Sequence, residues 1–159
     1  MTHDEIKTYT LRVSEANAFE LIVILYDIIL DDIEKARTAF DENDLTDYRN
    51  HLHHATRFMN ELINSLNFKY ELSYNLMSLY SYCNLRFASA AAASRPNDLL
   101  IIEEIIGKLK KSFHTLSVSD NSGPVMQNAQ SVYAGLTYGK GFLNETYVDA
   151  RDYNRGFNA

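Results

Sequence analysis

The chain has one cysteine, Cys83, among 159 residues, so no disulfide can close within it, a usage that fits a reducing compartment. Tryptophan is absent. The longest unbroken apolar run, from Leu21 to Tyr26, stops at Asp27, far short of the roughly 20 residues that a membrane span requires. The opening stretch MTHDEIKTYT carries acids and no apolar segment, so no secretory signal is expected and the chain reads as cytosolic. Without secretion, the Asn144-Glu145-Thr146 sequon has no bearing. Basic residues are outnumbered by acidic ones, 15 to 21, for a net charge of −6. That argues against nucleic acid, which rewards a dense basic face. Before residue 117 only Gly107 and Pro96 can interrupt a helix; five of the six glycines and Pro124 come later.

What fills the long stretch without breakers is helical periodicity. Four segments place apolar residues three and four apart. The first runs through Ala18, Ile22, Leu25, Ile29, Ile33, Ala36 and Phe40. The second uses Leu45, Tyr48, Leu52, Ala55, Met59, Leu62 and Leu66. The third uses Leu72, Leu76, Leu79, Cys83, Phe87 and Ala90, and the fourth Leu99, Ile102, Ile106, Leu109, Phe113 and Leu116. Asn17 is placed to cap the first segment, with Glu20 as the acid of a capping box, and Asp44 to cap the second. The intervening DEND (41–44), NFK (67–69) and SRPND (94–98) are short, and short loops join antiparallel neighbours. The expected architecture is all-α: an antiparallel up-down-up-down four-helix bundle over 17–117. A cap segment, 1–16, precedes it, and an extension, 118–159, follows. Within that extension Val125, Ala129, Val132 and Leu136 suggest a short helix over 124–138, while Gly135, Gly139 and Gly141 suggest partial flexibility.

The bundle shows no catalytic constellation. Di-iron bundles carry Glu-x-x-His pairs on facing helices, and no glutamate here has a histidine three residues later. In HLHH (51–54), His51 and His54 share a helical face with Asp47 one turn earlier. That spacing fits either one metal ion or a solvated polar face; the expectation is the polar face and no metal. Cys83 lies on the core stripe and reads as a buried structural thiol. No cofactor is called for, and the chain is not expected to be an enzyme. One excess stands out. From Leu21 to Leu30 the first segment is apolar all round except for Asp27, more surface than a bundle stripe uses, so something else must cover it.

Two stretches carry a resemblance. NLMSLYSYCNLRF (75–87), preceded by the junction Leu66-Asn67, is similar to the third helix of the flagellin export chaperones, the FliS family; Asn75, Leu76, Leu79, Tyr80, Tyr82, Arg86 and Phe87 fit its pattern. SEANAFELIVILYD (14–27) resembles the family's N-terminal signature through Glu20, Leu21, Ile22, Leu25, Tyr26 and Asp27. Asn17 and Ala18 stand where the family has serine and proline, and Ile28 where it has glycine. The resemblance spans about residues 9–116.

The resemblance implies a cytosolic chaperone that holds the disordered C-terminal region of flagellin, prevents premature polymerisation and presents it for export. The implied contact residues are Leu21, Leu25, Tyr26, Ile28, Phe68, Leu72, Leu76, Tyr80 and Tyr82. Leu76, Leu79 and Cys83 are expected to hold the third helix in the bundle. Tyr80 and Tyr82 sit off that stripe and suit a half-wet groove. Ile6, Tyr9, Leu11 and Val13 form an implied lid over the surplus apolar face. The alternative reading is a four-helix adaptor for a folded flagellar regulator. Further partners implied are the export apparatus or such regulators, with the chain itself a monomer or weak dimer.

Overall fold

The structure, a computed structural model, describes residues 3–126. It is all-helical over that span. Helix α1 covers His3–Glu15, α2 Ala18–Asp41, α3 Leu45–Asn64, α4 Glu71–Ala93 and α5 Leu99–Ser119, with a single 3-10 turn at Pro96–Asp98. Helices α2 to α5 are the four expected segments. The cap segment is itself a helix.

The helix starts follow the expected chemistry. Asn17 is extended, and its Oδ1 accepts the Glu20 N–H at 2.8 Å. Its Nδ2 donates to the carbonyls of Ser117 and Asp120, so one side chain starts α2 and ties down the end of α5. The capping box is not completed, because the Glu20 carboxylate turns to Arg12 instead. Asp44 caps α3 through the N–H groups of Thr46 and Asp47. Helix α4 ends at Ser94 in the left-handed region (φ 51°), and the Arg95 N–H turns back to the Ala90 carbonyl.

The core is built around α2, which packs on α3 and α5, while α4 bridges α3 and α5. Cross-links between neighbours descend along one helix as they ascend the other. Asp27 meets Lys110 and Arg37 meets Glu103 across α2 and α5; Tyr48 donates to the Ala90 carbonyl and Asn60 meets Asn84 across α3 and α4. Val23, Tyr26, Ile29, Ile33 and Ala36 of α2 face Tyr48, Leu52, Ala55, Met59 and Leu62 of α3. Leu76, Tyr80, Cys83, Phe87 and Ala90 of α4, with Leu99, Ile102, Ile106 and Phe113 of α5, close the core. After α5 the chain turns so that the Val125 N–H bonds the Ala16 carbonyl at 3.0 Å. Residues 124–126 are not helical, and the rest of the helix suggested for 124–138 lies outside the described residues.

Candidate functional site

The expected contact residues separate into three environments. Tyr26, Ile28, Leu76 and Tyr80 are buried. Leu21 and Leu25 are half-buried, Leu21 against α1 and Leu25 at the edge of the main core. Phe68, Leu72 and Tyr82 are exposed. Phe68 packs its ring on Tyr74 in the turn before and the first turn of α4, and the Arg86 guanidinium lies over the Tyr82 ring.

Tyr80 corrects the sequence reading. It does not stand off the core in a half-wet groove but is 1% exposed at the bundle centre, while Leu79, expected to anchor α4, is 38% exposed. Both residues satisfy a helical spacing between Leu76 and Cys83: Leu79 is three then four away, Tyr80 four then three. The choice falls to Tyr80 because the Tyr26 hydroxyl waits for it on α2, and the two oxygens lie 2.5 Å apart. Tyr26 also sets its ring edge-on to Phe113, with centroids 5.7 Å apart. Burial pushes both phenols above the usual tyrosine range, so both stay neutral. The neighbouring Cys83 thiol is pushed up by burial to about 11, which leaves it protonated and unreactive.

The surplus apolar face of α2 is covered by α1. Tyr9 and Val13, one turn apart, pack on Leu21, Ile24 and Ile28. Ile6 and Leu11 were expected to share that work and do not. Leu11, two residues from Tyr9, points roughly to the opposite side of the helix, and both Leu11 and Ile6 are exposed. Ion pairs hold the two helices together. Arg12 bonds Asp27 at 2.7 Å and Glu20 at 3.3 Å, and Lys35 bonds Glu5 at 2.7 Å. Burial works against the Arg12 charge, but its bonds to Asp27 and Glu20 outweigh that and raise its pKa.

The HLHH stretch is not a solvated face. Asp32 of α2, 1% exposed, places one carboxylate oxygen against His51 Nδ1 at 3.1 Å and the other against His54 Nδ1 at 2.5 Å. The outward expectation failed because α2 supplies a buried acid opposite both histidines; His53 alone stays exposed. Among the described residues no group of three or more His, Cys, Asp or Glu side chains is arranged to hold a metal ion, and no helix is long and apolar enough to cross a membrane.

Among the described residues, one stretch of exposed apolar surface lies along the seam of α4 and α5. Asn84 turns one flank of α4 toward α3, which leaves Leu72, Leu79 and Tyr82 on the other flank. Lys110 and Glu103 turn one flank of α5 toward α2, which leaves Ile101, Ile105, Leu109 and Leu116 on its other flank. The two apolar flanks meet at the seam. Asp98 closes one end of it by bonding Ser89 and pairing with Arg86. Leu79 and Tyr82 are 38% exposed, Ile101 36% and Leu116 43%; Ile105 and Leu109 are half-buried. The α5 residues were missed in the sequence. Their signal is the doubling in LLIIEEII, where Ile101 and Ile105 each precede a core isoleucine and begin a second stripe.

A search among curated proteins found no match to the chain. The family model described as Flagellar protein FliS matches residues 5–120, a span that takes in α1 through α5 and leaves the extension outside. With nearly the whole bundle inside that match, the chain belongs to the FliS family of flagellar export chaperones.

Proposed function

We propose that this chaperone works in the cytoplasm by holding the disordered C-terminal region of flagellin along the α4–α5 seam. The observation that carries the reading is the pair of facing apolar flanks, Leu72, Leu79 and Tyr82 against Ile101, Ile105, Leu109 and Leu116, left half-open in a folded bundle. A client segment that forms a helix on arrival lays its own apolar stripe into such a seam. Each leucine-sized anchor contributes about 1.5–3 kcal/mol before the ordering of the client is subtracted. Half-open residues give only part of that, which suits a client that must later be released. Tyr82 adds a ring with a hydroxyl for the wet edge.

The test is to place aspartate at the exposed Leu79 and Ile101 together. Affinity for a flagellin C-terminal peptide should fall by roughly a hundredfold, about 2.7 kcal/mol. The unfolding midpoint should barely move, because neither side chain is in the core. Undiminished affinity in the folded double variant would remove the seam from the site.

Helix α1 is the displaceable part of this reading. It covers Leu21 and Ile28 with only Tyr9, Val13 and the ion pairs of Arg12 and Lys35, and α1 itself buries no residue fully. Segments with so few buried contacts open first. A variant lacking residues 1–15 should bind the same peptide at least as fast as the full chain in stopped-flow fluorescence. Slower association would show that α1 helps to form the site instead of guarding it.

A further inference from the structure

Helix α4 has a second seam, with α3, and its chemistry differs from that of the α4–α5 side. Between Leu52, His53 and Thr56 of α3 and Asn84, Phe87, Ala88 and Ala91 of α4 lies a cavity of about 240 Å³. It exists because Ala88 and Ala91 end at Cβ and leave the ring of Phe87 and the side chain of Leu52 as its floor. Asn84 donates from Nδ2 to Asn60 Oδ1, and its own Oδ1, shielded from solvent, has no donor among the described residues. The cavity is thus apolar with one unanswered acceptor. It has room for a single leucine- or phenylalanine-sized side chain.

Its rim is basic in an acidic protein. Arg49, His53 and Arg57 follow at four-residue intervals along the same side of α3, and the Arg49 guanidinium reaches Ser94 Oγ at the end of α4, beside Arg95. None of these four has a carboxylate partner among the described residues, whereas Arg12, Lys35, Arg37, Lys108 and Lys110 all do. The facing wall offers no compensation: after Glu71, α4 contains no acid.

We propose that the α3–α4 seam is a docking groove for an acidic amphipathic helix of a partner protein, which seats one apolar side chain between Leu52, Phe87, Ala88 and Ala91 and lays a line of carboxylates along Arg49, His53 and Arg57. The four-residue spacing of Arg49, His53 and Arg57 matches carboxylates at successive i, i+4 positions of a helix. Rim charges of this kind speed association and select the partner more than they add affinity, while the seated side chain supplies the anchor. The groove lies on the opposite flank of α4 from the flagellin seam, so both can be filled at once.

The probe is a synthetic amphipathic helix of roughly 18 residues, five turns, with leucines on one face and glutamates on its flank. Its counterpart carries lysine in place of each glutamate. Titrated into the full chain by fluorescence anisotropy, the acidic helix should bind and the basic one should not. Arg57→Glu and Ala88→Leu, both at exposed positions, should each weaken the acidic helix roughly tenfold, about 1.4 kcal/mol, the first through charge and the second by filling the cavity. Flagellin-peptide affinity should stay unchanged in both, which separates this groove from the seam proposed for the client. Equal binding of acidic and basic helices, or indifference to Ala88→Leu, would overturn the proposal. So would a short DNA duplex that binds as well as the acidic helix, since the cavity would then play no part. A dimer of the chain that Ala88→Leu dissolves in sedimentation would give the groove to a second copy and overturn it as well.

Discussion

Tyr80→Ala is expected to destabilise the fold by about 3–5 kcal/mol, a large part of what a domain of this size has in reserve. The ring is fully buried among α2, α4 and α5, and its removal leaves a void that close-packed neighbours can only partly fill. It also deprives the Tyr26 hydroxyl, 2.5 Å away, of its partner. The hydroxyl contribution can be measured apart from the ring. Tyr26→Phe and Tyr80→Phe should each cost about 1–3 kcal/mol, because each strands the other hydroxyl in the core. The double phenylalanine variant should cost less than the sum, since no hydroxyl is then left unpaired. Urea unfolding of the four proteins closes the cycle, and strictly additive costs would mean that the two oxygens do not answer each other. The pH dependence has a definite sign. Both phenols titrate above their ordinary value near 10 in the fold, mainly because burial opposes the tyrosinate. Stability is therefore at its full value below about pH 10 and falls as pH rises further, where the unfolded chain ionises and the folded one does not. The double variant should lose less over that range.

The same residue shows where the sequence is legible and where it stops. Four helices, their caps and their loops were readable because they rest on local rules: apolar spacing within a helix, and an oxygen one turn ahead of an unpaired N–H. Asn17 and Asp44 cap as expected for that reason. Whether Leu79 or Tyr80 faces inward is not local, because both fit the period. The answer is a hydroxyl 54 positions away in sequence, at Tyr26. The α5 side of the candidate site was hidden in another way. Ile101 and Ile105 look like core residues beside core residues, and only the ion pairs Lys110–Asp27 and Arg37–Glu103, which fix the rotation of α5, put them on the open seam. The surplus of α2 was visible as composition; that Tyr9 and Val13 cover it while Leu11 does not required α1 to be a helix. Spacing tells which residues can share a face, and partners from elsewhere tell which face is used.

Asp32→Ala should cost about 2–4 kcal/mol, although the side chain touches nothing on the open seam. Its two oxygens answer one ring nitrogen each, on His51 and His54, and together they join α2 to α3 at mid-length. An alanine there leaves two ring nitrogens facing an apolar wall, each worth about 1–3 kcal/mol when left unpaired, with some relief because both rings are partly exposed and can turn toward water. His54 has the larger reason to stay, since its ring packs edge-on against Phe58 with centroids 4.9 Å apart. Asp32→Asn should be milder. Its carbonyl keeps one of the two bonds, and its amide can donate to the other ring if that ring presents the bare nitrogen. His51→Ala should be milder again, because the Asp32 carboxylate keeps its shorter bond to His54, and Asp47 Oδ2, 3.5 Å from His51 Nε2, is exposed and needs no replacement partner. Measured by urea unfolding, the cost should decline from Asp32→Ala through Asp32→Asn to His51→Ala; an Asp32→Ala protein as stable as the parent would show that the carboxylate is solvated and not a link.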